Sequence, residues 1–409
     1  MQRLQHFKLR LYAQQFFGDC MPIYPLYALM FSQRTGLGTA DISLLFLCWV
    51  IFAMIAEIPT GIIADKFSRK VALVSSHVLQ ALAFAVWLAF PSFLGYACGF
   101  FIWAIGYAFS SGTFQAYLYE ELKAHDDAAS FNKVFARSQS IKLVGMVAAY
   151  SLAWYLGASN FTLLLSLSII TSLITAGVTM SFSYKSKRKH DTAQDGSQTG
   201  FLKNAYFELR GSKKALTYMI ALGILTSIVG VMEEYTPLFY SELGFSNDLV
   251  PVLLATGLIL SSLVGWFAHR LERMRFTTVA LFVVIAGSVM FIGTFSELAG
   301  FIAILVFMRL IMLVQTLFGA SLQHVIQDRQ RATIGSMASF AGQTLSIILL
   351  GVSSLLFAAT SNMFTYRTLA IIFIALGVGL VVMGRIQKLK TDIPAKDELV
   401  ITSSARTLE

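Results

Sequence analysis

Twelve stretches of the chain are apolar over a length that can cross a membrane: residues 10–32, 41–64, 71–90, 93–118, 134–156, 161–183, 215–240, 249–268, 277–295, 299–321, 334–358 and 367–386. A hydrocarbon core takes about 20 apolar residues per helical crossing. Irregular backbone cannot face lipid with its amides unpaired, so each stretch predicts a membrane-spanning helix. Between the sixth and seventh lies YKSKRKHDTAQDGSQTGFLKNAYFELRGSKK (184–214), the only long polar segment between helices. It reads as a cytoplasmic linker. The chain then divides into a six-helix bundle (1–183), the linker (184–214), a second six-helix bundle (215–386) and a polar tail (387–409).

Composition agrees with the pattern. Of 409 residues 56% are hydrophobic and 13% charged, against roughly 25% charged in soluble domains, and the mean hydropathy is +0.69. A soluble enzyme of this make-up would leave much of its apolar surface in water. Cys20, Cys48 and Cys98 all fall in apolar stretches, with neither the number nor the spacing of a disulfide framework or zinc site, and read as packing residues. The polar, basic start followed by an apolar run that carries Asp19 and Pro22, with no Ala-x-Ala site, reads as a first membrane helix and not as a cleaved signal.

Charge changes the picture in one respect. With both termini cytoplasmic, 27 of the 31 Lys and Arg fall in inner segments, Arg34 and Arg367 alone fall in outer loops, and Lys142 and Arg309 lie within helices. Basic residues concentrate on the cytoplasmic side of membrane proteins, so the net charge of +9 is a topology signal that requires no nucleic acid. The expected location is the inner (cytoplasmic) membrane, as a monomer.

The two halves repeat. Gly61-x-x-x-Asp65-Lys66-x-x-Arg69 after the second span is matched 204 residues later by Gly265-x-x-x-His269-Arg270-x-x-Arg273 after the eighth. The same offset pairs Phe114, Ala116 and Leu118 with Phe318, Ala320 and Leu322. The first and seventh spans align at an offset of 212, pairing Gly18 with Gly230 and Pro25 with Pro237. Parallel six-helix repeats with a site at the membrane midplane are a transporter architecture.

With these features the chain resembles the major facilitator superfamily, whose signature between the second and third helices is Gly-x-x-x-Asp-Arg/Lys-x-Gly-Arg-Arg/Lys. Here it reads Gly61-Ile-Ile-Ala-Asp65-Lys66-Phe67-Ser68-Arg69-Lys70, with Ser68 at the usual glycine. The resemblance implies an all-α membrane fold of twelve helices in two pseudo-symmetric bundles. It also implies a cavity lined by the first, fourth, seventh and tenth helices, and a signature network that locks the cytoplasmic side. The phrase Glu57-Ile-Pro-Thr-Gly61 is similar to bacterial efflux-type members, whereas the fifth span lacks a Gly-x-x-x-Gly-Pro-like run and the fourth lacks an arginine motif.

Ionisable side chains within spans are costly, about 2.5–3.5 kcal/mol each at a helix centre, and so are functional candidates. They are Asp19, Glu57, Lys142, Glu233, Glu234 and Arg309. Asp19 and Lys142 read either as a structural ion pair of the first half or as groups that meet substrate or proton. Arg309 binds a cargo carboxylate or pairs with a glutamate of the seventh span. Glu233 and Glu234 point about 100° apart on a helix, so only one can face a cavity squarely. Glu57 is placed at the cytoplasmic gate, and Glu120 and Glu121 are solvated or join it. Gln14, Gln15, Tyr24, Gln115, Tyr117 and Tyr119 are expected to shape the cavity, Ser110-Ser111-Gly112 to let helices pack closely, and His77 to be a packed neutral side chain. The sequence carries no phosphate loop, His-Glu-x-x-His or Cys-x-x-Cys pair. The expectation is a transporter and not an enzyme, with no cofactor or metal and a proton gradient as its energy source. It exports a drug or a metabolite such as a siderophore; the alternatives are a proton-coupled nutrient symporter and a lipid-handling protein on the same fold.

Overall fold

The computed structural model describes residues 2–66, 68–111, 113–157, 159–182, 212–271, 274–325 and 331–387. The expected linker, apart from its last three residues, and the tail beyond Gln387 lie outside the described residues. Within the described residues the chain is all-helical: α1 (Gln2–Asp19), α2 (Tyr27–Thr35), α3 (Thr39–Lys66), α4 (Arg69–Ala89), α5 (Phe93–Ser110), α6 (Thr113–Ala124), α7 (Phe131–Leu156), α8 (Phe161–Met180), α9 (Lys213–Glu242), α10 (Val250–Leu271), α11 (Phe276–Gly293), α12 (Glu297–Val325), α13 (Arg331–Ala359) and α14 (Asn362–Ile386). Among the described residues nine helical stretches, with α5 and α6 counted as one, are long and apolar enough to cross a membrane. Taking α1 with α2 and α5 with α6 as interrupted crossings leaves twelve helical segments, consistent with twelve spans.

Two expected spans are broken. The first starts at Gln2, ends at Asp19 and resumes at Tyr27, because Pro22 and Pro25 lack the amide hydrogen and their rings clash with the carbonyl four residues back. One freed donor is satisfied across the bundle, Ile23 N–H donating to Ser168 Oγ at 3.1 Å. The fourth stops at Ser110, whose hydroxyl donates to the Tyr107 carbonyl at 2.8 Å, and the chain leaves helical geometry at Ser111, ψ 120°. Short hydroxyl side chains compete in this way with the backbone ladder. The helix therefore ends at Ser110 and Ser111, where hydropathy suggests a continuous helix through 93–118, and Gly112 lies outside the described residues.

The chain forms two compact units. The first gathers Met1–Ala193, Val231–Ile259 and Ser346–Tyr366. One end has a core of Phe7, Leu11, Leu73, Tyr117, Leu118, Leu122, Val134 and Phe182. Further along the bundle an aromatic cluster forms around fully buried Trp87, whose indole donates to the Tyr96 carbonyl at 3.0 Å. Phe31 packs 4.1 Å from Tyr96 and 5.0 Å from Trp87, contacts worth about 0.5–1.5 kcal/mol each beyond area burial. The second unit gathers Gln194–Gly230, Leu260–Leu345 and Arg367–Glu409. There Phe276 stacks on Phe318 at 4.4 Å with Tyr218 edge-on to both. The Arg367 guanidinium lies 4.4 Å over Phe295 and donates to Thr294 Oγ1 at 3.1 Å.

Candidate functional site

In the first unit α1, α3, α4, α5 and α7, with one residue of α9, enclose a cavity of about 390 Å³. Close backbone packing sets its shape. A Cβ built on Gly145 would lie 2.2 Å from the Phe16 carbonyl oxygen, so only glycine lets α7 approach α1 this closely. One turn further along each helix, Lys142 Nζ and Asp19 Oδ1 face each other at 3.2 Å, partly exposed to the cavity. Asp19 is the last residue of α1, where the helix dipole disfavours an anion, and the ammonium offsets that penalty. On α5, a Cβ at Gly106 would sit 2.9 Å from the Ser76 carbonyl; this approach brings Ser76, His77 and Gln80 of α4 to the wall.

A hydrogen-bonded chain crosses from α1 to α4. Buried Gln15 donates through Nε2 to Gln14 Oε1 at 2.8 Å, and Gln14 Nε2 lies 3.0 Å from His77 Nε2. With its oxygen accepting from Gln15, Gln14 presents its NH₂ to the imidazole. His77 Nε2 must then accept, so the ring is neutral with its proton on Nδ1. The neutral imidazole agrees with the sequence reading, but its surroundings do not: His77 lines a cavity instead of being packed away.

Glu234 of α9 reaches the same cavity and accepts a hydrogen bond from the Tyr27 phenol. Its neighbour Glu233 is exposed, within electrostatic reach of Tyr24 and Tyr150. Next to Glu234, Tyr235 bonds Ser43 Oγ, which itself donates to the Leu350 carbonyl at 3.1 Å. Ser354 Oγ donates to the Ala40 carbonyl at 3.0 Å. The lining also holds Tyr24, Trp49, Trp103 and Tyr107, with Trp49 5.7 Å from Tyr107 and Tyr24 6.1 Å from Trp103.

At the far end of this unit Arg69 pairs with Glu120 at 3.2 Å. Lys70 Nζ and Arg10 Nη1 donate, each at 2.6 Å, to the carbonyls of Phe182 and Ser181 just past α8, a favourable place for cations. Lys8 pairs with Asp127 at 2.8 Å, and Ser130 Oγ also donates to that carboxylate. These bonds to Lys8 and Ser130 hold the Asp127 carboxyl below its usual pKa. Glu121 is fully buried, not solvated.

The structure thus brings together Asp19, Lys142 and Glu234 in one lining. Gln115 is exposed on α6 and Glu57 is exposed on α3, neither in the cavity's lining. Arg309 belongs to the second unit, as does exposed Arg270. The side-chain surroundings of Gly61, Asp65, Lys66, Gly265 and Arg273 lie outside the described residues. Sequence reasoning missed Ser76 and Gln80 on α4, and Gln139 on α7 beside Lys142, while His77 was read as packed and stands in the lining. Their signal is a polar stripe at three- and four-residue spacing on helices otherwise apolar.

A bundle of membrane-length helices around a cavity that holds charges of both signs has the build of a solute transporter. The family model of the Major Facilitator Superfamily matches residues 15–350, and the chain belongs to that family. It is a transporter and not an enzyme. Over 230 residues it is 24% identical to the uncharacterized MFS-type transporter YxaM of Bacillus subtilis (strain 168), a match spanning 54% of this chain and 57% of that relative's length. Among solved structures it is similar to the nucleoside transporter NupG (16% identity, TM-score 0.77, covering 93% of this chain and 98% of that one). It is also similar to a D-xylose-proton symporter (12% identity, TM-score 0.71, 92% and 97%). At these identities the structural likeness is one of fold.

Proposed function

We propose that this chain exports a small organic solute in exchange for protons, with cargo and proton sharing the cavity between α1, α4, α5 and α7. The observation that carries the reading is the presence of Asp19 and Glu234, with Lys142, in the wall of one aromatic-lined cavity. A carboxylate in such a site can hold a proton or face a cargo but not do both fully, and each then lowers the other's affinity by the same factor. Competition of this kind is antiport. A volume near 390 Å³ sits at the low end of the roughly 300–1,000 Å³ of small-molecule sites, which favours a compact drug or metabolite over a bulky siderophore. The bonds from Tyr27 to Glu234 and from Tyr235 to Ser43 join α2 and α3 to α9 at ends that the charge pattern assigns to the outside, and in this reading they break as the cavity opens outward. Asp65, Lys66, Arg69 and Lys70, with Gly265, Arg270 and Arg273 in the second copy, form the cytoplasmic lock. Both termini and the 184–214 linker lie in the cytoplasm of the inner-membrane protein, between bundles 1–183 and 215–386.

Proton-coupled uptake is the second reading, favoured by the fold shared with a D-xylose-proton symporter. Flux in proteoliposomes of defined orientation, under an imposed pH difference, separates the two. Asp19→Asn and Glu234→Gln should abolish gradient-driven transport and spare downhill exchange of cargo, while Glu233→Gln retains most activity. Full gradient-driven transport in both of the first two variants would overturn the coupling.

A further inference from the structure

Resting on that cavity reading, we infer that the cargo is an organic cation, a compact amine or quaternary ammonium with an aromatic or apolar body. Two carboxylates, Asp19 and Glu234, stand in the lining with Tyr24, and among the described residues of the lining a single ammonium, Lys142, stands against them. That ammonium is already engaged by Asp19 at 3.2 Å. His77 accepts a hydrogen bond through Nε2 and adds no positive charge. The cavity therefore keeps an excess of acid, centred on Glu234, whose hydrogen-bond partner Tyr27 is a neutral phenol.

The rest of the wall suits the same ligand. Tyr24, Trp49, Trp103 and Tyr107 form a run of neighbouring rings, with Trp49 6.5 Å from Trp103. The negative face of such rings attracts ammonium groups, indole most strongly. An anionic cargo would have to displace Asp19 from Lys142 and tolerate Glu234. A neutral polyol could use the glutamines but would leave the acid excess unmatched. Charge and aromatic walls both select a cation, which can trade places with a proton at Glu234. The carboxylate-bearing cargo suggested by Arg309 draws on a residue outside this cavity's lining.

The test uses the full-length purified protein and three probes of similar size: benzyltrimethylammonium, benzyl alcohol and benzoate. Binding is read by calorimetry and by quenching of tryptophan fluorescence, since Trp49 and Trp103 stand in the wall. The expected result is a preference of at least about tenfold for the ammonium, lost in Glu234→Gln while the weaker alcohol binding stays. Because this probe does not titrate, its affinity should also fall with falling pH, by up to about tenfold per unit for one competing proton. The titratable groups facing it are Asp19, His77, Lys142 and Glu234, with the phenols of Tyr24, Tyr27 and Tyr107. The pH series needs only the wild-type protein, so it decides the matter if Glu234→Gln does not fold. Equal or tighter binding of benzoate or benzyl alcohol, a preference that survives Glu234→Gln, pH-independent affinity, or no binding of any probe would each overturn the inference. If the ammonium is not preferred but Asp19→Asn still abolishes gradient-driven flux, the cargo class falls and the coupling stands. If the ammonium is preferred but neither carboxylate variant alters that flux, the reverse holds.

Discussion

Replacing Gly145 with alanine should separate two effects that meet at the Asp19–Lys142 pair. The new Cβ would lie 2.2 Å from the Phe16 carbonyl oxygen, whereas ordinary contact begins at 3.4 Å, so α1 and α7 must move apart by about 1.2 Å. Backbone cannot yield as a flexible side chain does, and overpacking of this kind costs about 1–3 kcal/mol. The same movement stretches the 3.2 Å ion pair past 4 Å. With Lys142 41% exposed, that loss is held to about 1 kcal/mol or less by solvent. Steric strain therefore outweighs the weakened ion pair. The matched control is Gly177 of α8, where a Cβ would meet nothing within 4 Å and alanine should gain up to about 1 kcal/mol of helix propensity. Thermal unfolding followed by tryptophan fluorescence in one detergent should place Gly145→Ala below wild type and Gly177→Ala at or above it. Gly145→Ala should remain destabilising in a Lys142→Ala background. A wild-type midpoint for Gly145→Ala, or disappearance of its effect when Lys142 is absent, would refute the steric argument.

Asp65→Asn should reduce transport far more than it reduces folded protein in the membrane, and Asp65→Glu should be milder; a wild-type transport rate for the asparagine variant would leave the signature without a gating role. Reporter fusions after Gly38, Ser68, Ser246 and the C-terminus should alternate out, in, out, in, and a periplasmic C-terminus would contradict the charge-derived orientation. Asp127, whose folded pKa is depressed from an ordinary 3.8 chiefly by its bond to Lys8, contributes stability that is complete above the ordinary value and is lost as pH falls through the folded one. The gap in thermal midpoint between wild type and Asp127→Asn should thus be present at pH 7 and close below pH 4; a gap that widens with acid would reverse the sign.

The spans were legible because lipid imposes one rule on all of them: an apolar run of sufficient length must be helical. The breaks were less so. Pro22 and Pro25 stand inside an apolar run, and hydropathy counts them without registering the lost amides; Ser110 and Ser111 signal both close packing and an interrupted ladder, and only the fold decides between them. The pairing of Asp19 with Lys142 was among the expected alternatives, since each needs a counter-charge in an apolar setting. Which of Glu233 and Glu234 turns to the cavity depends on the rotation of α9, fixed by contacts such as Tyr235 with Ser43 that are nearly two hundred residues apart in sequence. His77 was misjudged for the same reason: the approach of α4 and α5 at Gly106, which turns it to the cavity, leaves no mark in local periodicity.

The interrupted first crossing bears on how the protein enters the bilayer during synthesis. Neither α1, with its polar start and terminal Asp19, nor the nine-residue α2 is among the stretches long and apolar enough to cross a membrane, whereas α3 is. The α1–α2 crossing is thus a poor substrate for the translocon by itself, and among the described residues α3 has the stronger claim to partition into lipid. Insertion is thus expected to depend on the second crossing and the basic residues that follow it, and on the packing of α1 against α7 and α8. Deleting α3 should consequently strand α1 and α2 outside the bilayer.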